Sequence, residues 1–107
     1  MSKPLHLDDF VGGWLTGHFE PALLRQDAVE VAIKRYAAGD YEASHHHRIA
    51  TEYTVVASGR VRMLGQEYEA GQIVEIPPGT STDFTALEET ITVVLKFPSV
   101  ADDKYLD

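Results

Sequence analysis

The chain contains no cysteine. Disulfides, thiolate zinc sites and cysteine nucleophiles are therefore excluded together. Positive charge is also scarce: nine Lys and Arg stand against seventeen Asp and Glu, for a formal net charge of −8. Such a surface repels phosphate backbones and anionic headgroups, so neither nucleic acid nor a membrane is expected as a partner. No apolar run approaches the ~18 residues that a membrane-spanning helix needs. The opening residues MSKPLHLDDF lack the apolar stretch of a secretory signal, and the expected location is the cytoplasm. Nucleophile elbows, phosphate-binding glycine loops and dinucleotide fingerprints are missing too. Helix signals are few. HLDDF reads as a turn capped by Asp8, and PALLRQD (21–27) as one short helical turn.

What remains is β-structure. In VEVAIKRY (29–36) Val29, Val31 and Ile33 alternate with Glu30, Ala32, Lys34 and Tyr36, the period of a strand with two different faces. TEYTVVAS (51–58) is rich in β-branched residues. GRVRMLGQEYEAG reads as a hairpin turning at Gly65. QIVEIPPG is a short strand stopped by Pro77 and Pro78, and TITVVLKFP (90–98) is a strand halted at Pro98. Short strands with glycine punctuation predict one all-β sandwich or barrel. The expected organisation is a single domain over 1–107, with a barrel core at about 28–98, an N-terminal arm (1–27) and a polar tail (99–107) at the surface. The arm holds Trp14 and Phe19 and is too apolar to hang free, so it is expected as an edge strand or against a second copy in a homodimer.

Chemistry concentrates in GDYEASHHHRIATEYTVVASG (39–59). His45 and His47 are two apart, so on a strand they share a face while His46 points away. Glu52 opens the following strand, within reach across a short link. Two imidazoles and a carboxylate form a mixed N/O donor set for one divalent transition metal: Fe, Mn, Ni, Zn or Cu. The competing reading is three solvated histidines and a surface glutamate.

The spacing Gly39-x5-His45-x-His47-x4-Glu52-x6-Gly59 resembles the first motif of the cupin superfamily, with every position filled. Gly71-x5-Pro77-x-Gly79 resembles the second. There the family expects a histidine at 82 and an asparagine near 86, where this chain has Thr82 and Ala86. The resemblance implies a small cupin β-barrel, a double-sheet jelly-roll type, with the metal in its lumen. It implies His45, His47 and Glu52 as ligands, with Glu52 alternatively the candidate catalytic base if it is not bound to metal.

The Thr82 departure leaves three readings open. Waters complete the shell, or Asp83 turns inward through a bulge, or the site has lost its metal. Lys34, Tyr36, Thr82 and Phe84 are the candidate contacts to a small-molecule ligand. For Lys34 and Lys96 the competing placement is snorkelling to the surface, and for Tyr36 and Phe84 core packing. The implied activity is a metal-dependent isomerase, epimerase or dioxygenase on a small polar metabolite. The alternative is a non-catalytic ligand-binding or sensing cupin, metal-bound or metal-free.

Overall fold

The computed structural model describes residues 4–107. Ten strands run through it: β1 (Trp14–Thr16), β2 (Glu30–Tyr36), β3 (Tyr41–His46), β4 (Thr51–Ser58), β5 (Arg60–Met63), β6 (Gln66–Glu69), β7 (Ile73–Ile76), β8 (Thr82–Ala86), β9 (Thr90–Phe97) and β10 (Tyr105–Leu106). They form two five-stranded antiparallel sheets, ordered β1-β2-β9-β4-β7 and β10-β3-β8-β5-β6. The all-β expectation holds, and the strands stop where the prolines and glycines predict. The β5–β6 hairpin turns on Leu64 and Gly65, both at positive φ (51° and 72°), the twist that a tight hairpin requires.

One core joins the sheets. Val56, Val74 and Ile76 come from the first sheet; Val61, Met63, Phe84 and Ala86 come from the second. Tyr36 and Tyr68 pack against this cluster. It fills one part of the interior, and beside it lies a cavity of about 500 Å³ with charged and apolar residues in its wall.

Two local expectations are corrected. PALLRQD is not helical. Leu23 N donates to Leu15 O, and the Gln26 amide bridges Thr16 Oγ1 and Val29 O; seven residues cannot repay helix nucleation against such ties. The first turn, a 3-10 helix at Leu7–Asp9, is capped by His6 and not by Asp8: His6 Nδ1 accepts from Asp8 N, and the Asp9 carboxylate accepts from His6 N. Most of the polar tail lies at the surface, but it is anchored at two points and one edge. Ser99 and Asp103 are buried, and β10 adds to β3 through Tyr105–His46 and Leu106–His45. The arm forms β1, which pairs with β2 of its own chain, and Trp14 meets Phe19 edge-on at 6.4 Å.

Candidate active site in the barrel cavity

The cavity wall is set by strand register. Glu30 of β2 pairs with Lys96 of β9, and Lys96 pairs in turn with Glu52 of β4. Directly opposed residues share a face, so a carboxylate, an ammonium and a carboxylate form one inward row across three strands. One step down, Ala32, Val94 and Thr54 are in register, then Lys34, Thr92 and Val56. The inward face is thus the polar one. Lys34 and Lys96 both line the cavity and do not snorkel to the outer surface: Lys96 is only 8% exposed. Glu30 Oε1 lies 3.4 Å from Lys96 Nζ, which offsets the cost of burying the charge.

Glu52 faces the same cavity and is no surface glutamate, its side chain being 12% exposed. Burial pushes its carboxyl pKa up. Hydrogen bonds from His47 and Thr54, and the charge of Lys96, outweigh that and leave it below the ordinary value. Thr54 Oγ1 donates to Oε2 at 2.9 Å, while Oε1 lies 3.2 Å from His47 Nε2.

The histidines are oriented from behind. His45 Nδ1 is 3.0 Å from Ala43 O, and His47 Nδ1 contacts Asp103 O. A main-chain carbonyl only accepts, so each Nδ1 bears hydrogen and donates. That leaves Nε2 as the nitrogen able to coordinate in each ring, the arrangement of a metal-ligating histidine backed by a carbonyl. For His47 the consequence is sharp. With Nδ1 protonated, Nε2 meets a carboxylate oxygen at hydrogen-bond distance, and two acceptors face one another unless a cation joins them, proton or metal. The imidazole rings of His45 and His47 lie edge-to-face, 5.4 Å apart. His46 points away, stacked on Tyr105 and bonded through Nδ1 to Asp107.

The donor types therefore suit a divalent metal. Among the described residues, however, no three His, Asp or Glu side chains are drawn into a closed ligand cluster. Thr82 adds nothing to such a set: its hydroxyl accepts from Leu64 N at 2.9 Å and donates to Asp83 O at 2.7 Å. Asp83 borders the cavity, but its Oδ2 accepts from the exposed Tyr41 hydroxyl at 3.3 Å. Phe84 belongs to the core and packs on Tyr36 at 4.5 Å. Tyr36 lines the cavity and donates to Glu42 at 3.3 Å; burial, reinforced by Glu42, raises its pKa well above the usual phenol value.

Sequence reasoning missed four contributors. Glu30 alternates with Val29 and Val31 in the sequence, and only the register with Lys96 reveals its role. Trp14 lines the cavity, with Lys34 and Lys96 at 5.3 and 5.5 Å from its ring centroid. Asp103 and Ser99 come from the tail, where no local pattern marks them.

No protein-family profile and no curated protein matches the chain. Solved structures do. A conserved protein with a double-stranded β-helix domain from Klebsiella pneumoniae subsp. pneumoniae MGH 78578 shares 22% identity over 98% of this chain and 91% of that one, with a TM-score of 0.72. The DMSP lyase DddQ from Ruegeria pomeroyi DSS-3 shares 21% identity with a TM-score of 0.72; the match covers 87% of this chain and 49% of the lyase. A cupin-2 domain protein from Shewanella frigidimarina NCIMB 400 shares 18% identity over 70% and 76% of the two chains, with a TM-score of 0.57.

Proposed function

For a chain that has the cupin fold, a small double-stranded β-helix around one cavity, we propose the binding of one divalent transition metal and action on a small polar metabolite. His45, His47 and Glu52 would hold the metal. The observation that carries this reading is the commitment of both Nδ1 atoms to main-chain carbonyls, with His47 Nε2 directed at Glu52 Oε1. When bound, a divalent ion supplies Lewis acidity toward a substrate oxygen or a water.

The chain's own residues do the rest. Glu52 Oε2 is anchored by Thr54, so Oε1 is the oxygen free to hold a cation or to take up and return a proton. That favours a proton-transfer reaction of isomerase or epimerase type over oxygenation. Hydrogen bonds from His47 and Thr54, with a smaller contribution from the charge of Lys96, favour the ionised form of Glu52, and Trp14 walls the cavity.

The test is metal content per chain, by elemental analysis of untagged protein and by titration with Zn²⁺ and Mn²⁺. Wild type takes up about one equivalent, and the His45→Ala/His47→Ala double variant takes up none. Full uptake by the double variant, or none by wild type, overturns the reading.

Thr82 favours a second reading. Its hydroxyl is committed to the main chain where the resemblance expects a further ligand. On that reading the cavity is a ligand-binding module without turnover, which predicts saturable binding and no product across a metabolite panel.

A further inference from the structure

The metal reading leaves two charged pairs in the same cavity unused. Lys96 Nζ lies 3.4 Å from Glu30 Oε1, and Glu30 Oε2 accepts from Ser99 Oγ at 2.8 Å. Lys34 Nζ donates to Glu42 Oε2 at 3.4 Å, and the Tyr36 hydroxyl reaches the same oxygen. Both ammonium groups stand over the Trp14 indole. An ammonium has three donors, and neither lysine satisfies them with one long carboxylate contact. Lys96 is nevertheless more than nine-tenths buried and lines the cavity. Thr92, in register with Lys34, is fully buried, and its Oγ1 lies beside the Tyr36 hydroxyl without a well-formed hydrogen bond. The cavity wall thus offers open donors next to carboxylate acceptors, and a buried hydroxyl still to be paired.

This pattern selects against a charged ligand of either sign. A carboxylate or phosphate that approaches Lys96 also meets Glu30 and Glu52, and one that approaches Lys34 meets Glu42. An amine that approaches those carboxylates meets the lysines. Either ion also loses its hydration on entry. A hydroxyl group has no such conflict, since it donates to a carboxylate and accepts from an ammonium at once. The volume of about 500 Å³ lies in the usual range for small-ligand sites, about 300–1,000 Å³.

We infer that the ligand is a neutral polyhydroxylated molecule, a polyol or sugar, held between the Glu30–Lys96 and Lys34–Glu42 pairs against Trp14. The inference rests on the reading of this cavity as the ligand site, and not on the metal.

Trp14 is the single tryptophan of the chain, so its fluorescence reports on this cavity alone. Sorbitol, gluconate and glucamine share one six-carbon chain and differ in terminal charge. In titrations of the full chain, sorbitol shifts Trp14 emission with a Kd at about the millimolar level. Gluconate and glucamine bind at least about tenfold more weakly, the scale of one lost favourable contact. Lys96→Met and Glu30→Gln each weaken sorbitol binding by a similar factor. Lys34→Met, at the more exposed pair, does the same and serves if the buried variants fail to fold. No response to sorbitol overturns the inference. So does tighter binding of gluconate or glucamine, or wild-type affinity in Lys34→Met. Metal uptake is measured in parallel on wild type. Sorbitol binding without metal uptake sinks the metal reading alone, and metal uptake without sorbitol binding sinks this one alone.

Discussion

Asp103 holds His47 from behind while its own carboxylate caps the loop that follows. Its main-chain carbonyl accepts from His47 Nδ1, and its carboxylate accepts from the amides of Arg48, Ile49 and Ala50. The turn between the histidines and Glu52 is therefore built on a residue from the tail. Replacing the carboxylate leaves three main-chain donors short of a charged acceptor, a loss of about 2 kcal/mol, or roughly 10 °C in Tm for a domain of this size. Asp103→Ala is expected to show that drop. The carbonyl that orients His47 is main chain and survives the substitution, so metal binding weakens only as far as the uncapped loop lets that carbonyl shift, by at most about tenfold, the lower end for a disturbed orienting group. Calorimetry and metal titration of one sample check both. A lower Tm with unchanged metal affinity would make Asp103 a structural cap only.

The tail should also be the part of the molecule most sensitive to acid. Hydroxyls of Ser44 and Ser81, together with His46, lower the Asp107 carboxyl from its usual 3.8 to about 2. A carboxyl lowered on folding stabilises the fold fully above its unfolded pKa, and that contribution is lost as pH falls through the folded value. Asp103 has the same sign: burial raises its pKa, and the amides of Ala50, Arg48 and Ile49 more than reverse this. The expected outcome is that β10 separates from β3 between about pH 3.8 and pH 2, while β4 and β9 stay paired. Amide hydrogen exchange resolves the two regions. Ser44→Ala should move the opening toward the upper end of that window; uniform exchange in all strands would contradict the assignment.

The strands and the histidine pair were legible in the sequence because both depend on spacings of two residues, and the register of a strand carries that period intact. Asp103 was not, since its partners lie 53 to 56 residues earlier in the chain. Lys96 failed for another reason. In TITVVLKF the apolar residues Ile91, Val93, Leu95 and Phe97 look like the inward set. They face outward, and Thr90, Thr92, Val94 and Lys96 face inward, the last three onto the cavity. Periodicity finds the two faces of a strand. Which face is inside depends on the other strands, and here the inside is partly polar because it is a site.

Gly59 tests how far the motif glycines are structural. Its φ is +88°, and a Cβ there would come within 2.4 Å of Glu89 O and 2.3 Å of Thr90 Oγ1. The first of these is main chain, at the mouth of the β8–β9 turn, and cannot swing aside. Gly59→Ala is expected to cost about 3 kcal/mol, the upper end for a strained backbone position. Gly39→Ala, at φ +90° with nothing within 4 Å, retains only the conformational cost of about 1 kcal/mol. Chemical denaturation of the two variants gives the comparison, and equal losses would remove the packing argument.

The outward set of β9 leads to the last expectation, a homodimer. Val31, Leu95 and Tyr53 are in register across β2, β9 and β4, and Ile33, Val93 and Val55 form the next row. Ile91 and Phe97 extend this face while remaining 39% and 45% exposed. β1 extends the sheet at the edge of β2 rather than lying over this face. In a chain of net charge −8, the acidic residue in these rows is Glu75 of β7, which pairs with Tyr53 at one end of the first, so two copies can meet there with less of the repulsion that the rest of the surface imposes. A second copy is thus the expected occupant, and a stable interface of this kind buries about 1,200–2,000 Å² in total. Light scattering should give twice the 11.9 kDa chain mass. Val93→Lys or Leu95→Lys should give the monomer with the fold intact by circular dichroism. A wild-type mass equal to one chain at all concentrations would refute the dimer and leave the apolar face to a different protein.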